Sequence, residues 1–303
     1  MYYGFDMGGT KIELAVFDES LNPIWQKRVP TPKEDYQELL STFQRLTEEA
    51  DTKFSCIGKV GVGVPGIVNH QTGTVFTTNV PAAKYKPLIP DLANMLQRPV
   101  KVENDANCFA LSEAWATDFQ HYPTVLGLIL GTGVGGGFIS HGKVLSGKNG
   151  IAGEIGHMNI TLQGAQHLGD RVPEITCGCG KKACFETYLS GPGFERIYSA
   201  FSGEKRSAIE IIQLYQQGDI TAKQHIERYI DLLGMFLGQI ITVLDPDLVV
   251  LGGGLSQFEG IYQLLPNIVP KYLYGTATVP AIERARYGES GGARGAACLN
   301  LRD

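Results

Sequence analysis

Glycine-rich turns that follow apolar segments are the first places in this sequence where chemistry could occur. They lie at residues 6–11 (DMGGTK), 131–137 (GTGVGGG) and 252–254 (GGG). Glycine lets successive backbone N–H groups point into one concavity, which suits phosphate oxygens. Thr10 can add a hydroxyl donor, and Asp6 offers a carboxylate for a phosphate-bound Mg²⁺. One such turn is weak evidence because hairpins also need glycine, but three in one chain favour a nucleotide site.

Two familiar nucleotide-binding motifs fit these turns less well. A Walker A loop requires G-x-x-x-x-G-K-[ST], whereas Lys11 lacks that glycine spacing and precedes a predicted strand. Residues 131–136 match G-x-G-x-x-G, and Glu154 follows about 20 residues later, as in dinucleotide-binding proteins. The motif runs into a second predicted strand rather than a helix, so the βαβ context is missing. A Rossmann site is therefore a minor alternative.

Three cysteines form a second cluster of reactive residue types, Cys177-x-Cys179-x4-Cys184. The glycines between them allow a tight turn, and two neighbouring lysines would help to keep the thiols deprotonated. We expect a histidine as the fourth ligand, and His157 is our choice among the six in the chain. Three cysteines and one histidine form a closed, structural Zn²⁺ site. The alternative is a group of surface thiols or a redox pair.

Carboxylates beside these motifs could act on a hydroxylated substrate. Asn104 and Asp105 follow a predicted strand at the start of a predicted helix, where they could simply be N-cap residues. Alternatively, the carboxylate could take the proton of a substrate hydroxyl as that hydroxyl attacks phosphorus. Glu154 and Glu186, close to the predicted zinc ligands, could accept hydrogen bonds from sugar hydroxyls or could be solvent-exposed acids.

An internal duplication is predicted to position these residues. Apolar strands over 2–5 and 125–130 each lead into a glycine turn and a return strand, once in each half of the chain. The repeat predicts a small α/β domain over 1–120, completed by a C-terminal helix at about 290–303, and a large α/β domain with the zinc loop over 121–289. Further predicted helices lie at 34–50, 88–97, 105–115, 206–244 and 259–270, and further predicted strands at 60–64, 100–102 and 247–251.

Composition limits the possible partners. The 303 residues include 26 Lys and Arg and 31 Asp and Glu, so the net charge of −5 gives no basic surface for nucleic acid. No run of about 18 uncharged apolar residues could span a membrane, and the first residues do not form a signal peptide. We therefore expect a cytoplasmic protein that binds neither nucleic acid nor membranes.

Taken together and in order, these motifs resemble the ROK family of sugar kinases and repressors. The only departure that we find is at residues 181–183 (KKA), where many members have a glycine before the last cysteine. That difference affects the shape of the loop and not the identity of the ligands. The matching segments are 6–11, 103–107, 131–137, 153–157, 177–180, 184–186 and 251–254.

The resemblance implies the actin-like ATPase (ribonuclease H-like) α/β fold, with two duplicated domains around a nucleotide and sugar cleft. It also implies ATP with Mg²⁺ at the glycine turns and Asp105 as the general base. The implied ligands of structural Zn²⁺ are His157, Cys177, Cys179 and Cys184. The implied sugar contacts are Asn104, Asp105, Glu154, His157 and Glu186. The implied nucleotide contacts are Asp6, Gly8, Gly9, Thr10, Lys11, Gly131, Thr132, Gly133, Val134, Gly135, Gly136, Gly137, Gly253 and Gly254.

The activity that the resemblance implies is ATP-dependent phosphorylation of N-acetyl-D-glucosamine at its 6-hydroxyl. Glucose, mannose or fructose kinases of the same family are the alternatives, because no residue pattern proves a pocket for an N-acetyl group. A sugar-responsive regulator is less favoured, since family repressors carry a helix-turn-helix domain before the first glycine turn and here the first predicted strand starts at Tyr2. The expected partners are a sugar and ATP, with a second copy of the chain as a further candidate.

Overall fold

The computed structural model describes residues 1–301, without the side chain of Glu289. The last two residues of the helix predicted at about 290–303 therefore lie outside the described residues. The strands are β1 (Tyr2–Met7), β2 (Lys11–Phe17), β3 (Pro23–Pro30), β4 (Lys59–Val64), β5 (Ile67–Asn69), β6 (Thr74–Phe76), β7 (Val100–Asn104), β8 (Thr124–Leu130), β9 (Val134–Ser140), β10 (Lys143–Val144), β11 (Leu248–Gly252) and β12 (Ala281–Arg284). The α-helices are α1 (Tyr36–Phe54), α2 (Leu88–Leu96), α3 (Asp105–Ala114), α4 (Leu162–Leu168), α5 (Glu186–Leu189), α6 (Gly191–Ser202), α7 (Ala208–Gln216), α8 (Ile220–Leu244), α9 (Gly260–Ile268) and α10 (Gly291–Cys298).

Two five-stranded sheets repeat one topology. The first has the order β3-β2-β1-β4-β7, in which β1 and β2 are antiparallel while β1, β4 and β7 run parallel. The second has the order β10-β9-β8-β11-β12, with β9 and β10 antiparallel and β11 and β12 parallel. Counted within its own half, each sheet has the strand order 3-2-1-4-5. The internal duplication predicted from the glycine turns is therefore present.

Two units divide the chain, and each is described by itself. Unit 1 comprises Met1–Gly127, Gly137–Gly153 and the residues from Arg286 onward, and unit 2 comprises Leu128–Gly136 and Glu154–Ala285. The domain boundary near residue 120 stays a prediction. Unit 1 contains the first glycine turn and the Asn-Asp pair at the start of α3, whereas unit 2 contains the cysteine cluster and the third glycine turn.

The core of unit 1 explains how its first sheet is held. Phe5 of β1 is fully buried, and its ring lies 4.9 Å from that of Phe43 on α1, measured between centroids. Helix α1 begins after Asp35, whose carboxylate accepts two backbone N–H groups of the first turn, as an N-cap does. On α10, small residues allow close backbone contact, because a Cβ on Gly4 or Gly61 would clash with a carbonyl oxygen of that helix. The sheet therefore packs against α10 through glycine.

Two predicted elements differ from those observed. The helix predicted over 206–244 is two helices, because Gly218 has a φ of 86° and Asp219 then caps α8 by accepting the N–H of Ala222 at 2.7 Å. The glycines at 135–137 belong to β9 and not to the turn before it. A Cβ on Gly137 would lie 2.7 Å from the Cβ of Ala110, so glycine here allows the strand to approach α3.

The remaining differences are elements without a clear sequence pattern. Strand β3 has no fully buried residue; Trp25 and Val29 pack half-buried against the core, and the charged and polar residues between them hide the pattern of a strand. Helices α4, α5 and α6 and strands β5, β6, β10 and β12 were likewise not predicted. Among the described residues, no helix has both the length and the apolar character needed to cross a bilayer.

Candidate functional site

The first glycine turn, in unit 1, is closed by its own backbone. The N–H of Gly8 donates to the carbonyl of Lys11 at 2.8 Å, and the hydroxyl of Thr31 donates to the carbonyl of Gly8 at 2.7 Å. The side chains of Thr10 and Lys11 are exposed. The turn is thus anchored from one side, and the side chains of Thr10 and Lys11 are accessible to a ligand.

Asp6, at the end of β1, is the carboxylate beside this turn. Burial raises its pKa, and the negative charge of Glu13 raises it further, while Lys11 and Arg28 act in the opposite direction. Its carboxylate also lies against Gly292 of α10, where a Cβ would come within 2.8 Å of Oδ2. A bound cation would offset both the cost of burying the negative charge of Asp6 and its repulsion from Glu13, so Asp6 fits the predicted Mg²⁺ role.

At the junction between β7 and α3, the structure shows which of Asn104 and Asp105 caps the helix, a question that the sequence left open. Asn104 is the N-cap, because its Oδ1 accepts the N–H groups of Ala106 at 2.8 Å and Asn107 at 3.2 Å. Its Nδ2 donates to the carbonyl of Gly66 at 2.9 Å. Asp105 is the first residue of α3 and is exposed, with Oδ1 accepting the N–H of Ala106 at 2.9 Å. The capping role therefore belongs to Asn104, and the Asp105 carboxylate faces solvent at the start of the helix.

Glu103 precedes this pair and was not predicted as a site residue. It is only 3% exposed, yet its carboxylate contacts His70, Ser146 and Asn107 and accepts the N–H of Asn104. Burial would raise the pKa of Glu103, but these hydrogen bonds outweigh it and hold the pKa below its usual range. Together with His70 and Ser146, it lines a cavity of about 290 Å³ in unit 1. The sequence signals were an acid at the end of a predicted strand and its place in the segment 103–107 that resembles the ROK family.

The second and third glycine turns meet in unit 2. The N–H of Gly131 donates to the carbonyl of Gly133 at 3.0 Å, and the N–H of Gly191 donates to the carbonyl of Gly131 at 2.7 Å. Gly253 has a φ of 81°, and a Cβ there would lie 2.5 Å from the carbonyl of Leu130. Both turns follow strands that are neighbours in the second sheet. Of the predicted nucleotide residues, Thr132 lies in the turn, 134–136 begin β9, and Gly254 faces open space.

The four predicted metal ligands come together in unit 2. One ligand atom from each of His157, Cys177, Cys179 and Cys184 lies within 4.8 Å of all the others. The sulfurs of Cys179 and Cys184 are 3.6 Å apart, and the sulfur of Cys177 is 3.5 Å from Nδ1 of His157. Tetrahedral Zn²⁺ places two sulfurs about 3.8 Å apart and a sulfur and a nitrogen about 3.6 Å apart. The donor set and its spacing therefore fit zinc.

The loop between the ligands is shaped to hold them. The N–H of Cys177 donates to the carbonyl of Lys181 at 2.8 Å, which closes a turn with Cys179 exposed near its tip. Gly180 has a φ of 87°, a conformation that glycine adopts without strain. All three cysteines are free thiols, and their sulfurs are too far apart for a disulfide. The redox-pair alternative is thus not the state observed.

Two glutamates lie beside the cluster in unit 2. Oε2 of Glu154 is 3.5 Å from Nε2 of His157, so the two ring nitrogens of His157 face a carboxylate and a cysteine. This is the arrangement in which a carboxylate orients a metal-binding histidine. Burial raises the pKa of Glu154, and the charge of Glu186 adds to the effect while His157 opposes it. Glu186 itself accepts the N–H of Val134 at 3.1 Å and lies 3.3 Å from the sulfur of Cys177.

The predicted sugar residues therefore form two groups. Asn104 and Asp105 are adjacent in unit 1, and Glu154, His157 and Glu186 are brought together in unit 2. Each group combines a hydrogen-bonding side chain with at least one carboxylate. Each unit therefore contains one of these groups and at least one glycine turn.

Comparison with known proteins adds independent findings. A sequence model of the ROK family matches residues 2–303. An N-acetyl-D-glucosamine kinase from Yersinia pseudotuberculosis serotype O:1b (strain IP 31758) is 56% identical over 301 residues, which is 99% of each chain. The crystal structure of a ROK hexokinase from Thermus thermophilus is 32% identical, with a TM-score of 0.84 and coverage of 98% of this chain and 97% of that one. A ROK family glucokinase from Streptomyces griseus, in complex with glucose and AMPPNP, is 27% identical, with a TM-score of 0.73 and coverage of 100% and 99%. The predicted actin-like ATPase fold class is therefore confirmed.

Proposed function

Since this chain belongs to the ROK family, we propose that it transfers a phosphoryl group from ATP to the 6-hydroxyl of N-acetyl-D-glucosamine. The observation that carries the proposal is the full-length identity of 56% to a kinase named for that sugar. The exposed Asp105, the glycine turns and the clustered glutamates are the parts that such a reaction needs. Glucose, mannose and fructose remain the alternative substrates, because we assign no residue to the recognition of the acetamido group.

In this reaction Asp105 acts as the general base. An ionised carboxylate at the start of α3 can accept the proton of the 6-hydroxyl as that oxygen attacks the γ-phosphorus of ATP. The exposure of Asp105 leaves its carboxylate accessible to a substrate. Because Asn104 already caps the helix, Asp105 does not have to.

The glycine turns bind the nucleotide. In unit 1 the N–H of Gly8 closes the turn, so Gly9 and Thr10 present the backbone N–H groups and the hydroxyl. In unit 2 the N–H of Gly131 is likewise used within its turn, so Thr132, Gly133 and the adjacent Gly253 offer the backbone N–H groups. Bound Mg²⁺ would neutralise phosphate charge, and Asp6 is the carboxylate that we assign to hold it, directly or through water; its raised pKa supports this assignment. Removing the Asp6 carboxylate should therefore raise KM for ATP more than KM for the sugar.

Sugar hydroxyls are held by the two remaining groups. Asn104 uses Oδ1 for two backbone N–H groups and one hydrogen of Nδ2 for Gly66, so it has one amide hydrogen left and acts as a donor. Glu154 and Glu186 act as acceptors, and His157 contributes Nε2, which a sugar hydroxyl would share with the Glu154 carboxylate. His157 and the three cysteines would hold Zn²⁺, which would fix the loop and take no part in the reaction, since four protein ligands leave no open position.

A coupled assay of ADP release with four sugars tests the proposal. We expect kcat/KM for N-acetyl-D-glucosamine to exceed that for glucose by about ten- to a hundredfold, with mannose and fructose lower still, because loss of one buried hydrogen-bond partner costs about 1–3 kcal/mol. If another hexose gives the highest value, the acetylated sugar is the wrong substrate and the chain is a kinase of that hexose. If none of the four is phosphorylated, the enzymatic proposal itself fails and a regulator becomes the better account. A cytoplasmic location and a homodimer stay predictions.

A further inference from the structure

The buried carboxylate of Glu103, two residues before the proposed general base, has four polar partners. Oε1 of Glu103 accepts the backbone N–H of Asn104 at 2.8 Å and Nδ2 of Asn107 at 3.1 Å. Oε2 accepts the hydroxyl of Ser146 at 2.6 Å and lies 3.1 Å from Nε2 of His70. Both carboxylate oxygens are therefore fully used, and the geometry of the chain at 103–107 is fixed by a single side chain.

The stability of the fold does not by itself explain a charged side chain at residue 103. Removing a carboxylate from water is costly, and a buried ionic group is often no more stabilising than a well-packed apolar one. Helix α3 carries a second buried acid for comparison, Glu113, which accepts the N–H groups of Arg286 and Tyr287. Burial raises the pKa of Glu113, the opposite direction from Glu103. Of the two acids, Glu103 is the one whose surroundings favour the charged form.

The partners of Glu103 come from separate segments of unit 1. His70 follows β5, and Ser146 follows β10 in the segment that leads along the chain to Glu154. The same two segments also touch directly, because a Cβ on Gly150 would clash with the carbonyl of Val68. In addition, Gly66 accepts the side-chain amide of Asn104. The junction of β7 and α3 is thus tied to two loops, and Glu103 joins both of them to it.

We propose that Glu103 is a positioning residue for phosphoryl transfer, which fixes the backbone of Asn104 and thereby the direction of the Asp105 carboxylate. The inference rests on the proposed kinase function. A carboxylate that acts as a general base must lie within hydrogen-bond reach of the attacking hydroxyl, and a displacement of about 1 Å can cost up to about a hundredfold in rate. Glu103 restrains the residue next to that base from both the backbone and the helix side.

The primary test compares Glu103→Gln with Glu113→Gln. The amide of glutamine has one acceptor where the carboxylate has two, so half of the partners of residue 103 are lost. We expect Glu103→Gln to lower kcat by at least about tenfold, with KM for sugar and for ATP each within about threefold of wild type. Glu113→Gln is the matched control: it is expected to lower the melting temperature and leave kcat within about twofold.

A double-mutant cycle separates positioning from a general loss of structure. If Glu103 acts through Asp105, then adding Glu103→Gln to Asp105→Asn should change the residual kcat by less than about twofold. Should Glu103→Gln not fold, Ser146→Ala takes its place, and a three- to tenfold loss of kcat is expected because one partner of the carboxylate is removed.

Three results would overturn the inference. They are a wild-type kcat in folded Glu103→Gln or its Ser146→Ala substitute, an undiminished effect in the Asp105→Asn background, or an equal loss of kcat in Glu113→Gln. Failure of the proposed function is recognised separately, since the wild-type protein would then phosphorylate none of the sugars tested.

Discussion

Glu186 accepts the backbone N–H of Val134 at 3.1 Å while its other carboxylate oxygen lies 3.3 Å from the sulfur of Cys177. One side chain thus contacts both the end of the second glycine turn and the cluster of metal ligands in unit 2. A Cβ on Gly133 would come within 2.7 Å of Oε2, so the glycine turn also leaves space for this carboxylate. A sugar hydroxyl that binds Glu186 must compete with the N–H of Val134.

The first prediction follows from this contact. Glu186→Gln should raise KM for the sugar by about tenfold, because an amide has one acceptor where the carboxylate has two. Zinc content should stay near that of the wild type, because Glu186 is not one of the four ligands. Steady-state kinetics and elemental analysis of the same preparation check both statements. Loss of zinc with an unchanged KM would show that Glu186 serves the metal site and not the sugar.

The second prediction concerns the general base. Asp105→Asn keeps the size of the side chain but removes the proton acceptor, so kcat should fall by at least about 100-fold. Sugar binding measured by calorimetry should remain within a few-fold of wild type. Asp118→Asn is the control, since Asp118 is an exposed acid of unit 1 that pairs with Arg286 at 2.8 Å. Near-normal turnover by folded Asp105→Asn protein would exclude the assignment.

The third prediction concerns zinc. Elemental analysis should find one zinc per chain, and Cys179→Ser should reduce both zinc content and melting temperature, because three ligands leave the site open. Cys179 is exposed, so its replacement tests ligation and removes little packing. Cys56→Ser, at a half-buried cysteine outside the cluster, should change neither quantity. A fully active protein that contains no zinc would contradict the prediction.

The fourth prediction concerns the dependence of stability on pH. His225 on α8 is 1% exposed, and among the described residues neither of its ring nitrogens has a hydrogen-bond partner. Burial lowers its pKa to about 3, and Arg228 contributes in the same direction. The folded protein therefore keeps His225 neutral, whereas the unfolded chain takes up a proton below its ordinary pKa of about 6.5. This group should lower the free energy of unfolding by up to about 1.4 kcal/mol for each pH unit below about 6.

Urea unfolding of wild type and His225→Leu at pH 7, 6 and 5 measures this contribution. As the pH falls, the wild type should lose more unfolding free energy than the variant, which lacks the titrating side chain. Comparing the two proteins removes effects common to both, such as loss of zinc. His121→Gln is the control, because His121 is exposed. A difference that does not change with pH would mean that His225 is not buried as a neutral side chain.

Patterns of local spacing predicted much of this architecture. The glycine turns and their flanking strands marked the duplication, and Cys177, Cys179 and Cys184 marked the metal loop because their spacing is short. The break between α7 and α8 was missed because a single glycine at 218 is compatible with a continuous apolar pattern. Strand β3 was missed because it has no fully buried residue.

Contacts between distant parts of the chain could not be predicted in this way. Glu103 meets residues 33 and 43 positions away, His70 and Ser146, and no local pattern connects them. Which of Asn104 and Asp105 caps α3 was also undecided, since both residue types favour that position. It depends on the backbone conformation, which turns the Asn104 side chain back onto the helix N–H groups.

The glycine-mediated packing of α10 against the first sheet has a consequence for when unit 1 can fold during translation. Gly4 and Gly61 leave the ribosome long before Ala293 and Ala296, whose backbone they contact. We therefore expect the strands of the first sheet to be available first, with one face of β1 and β4 exposed until α10 has emerged. Unit 2, which ends at Ala285, has all its residues available earlier.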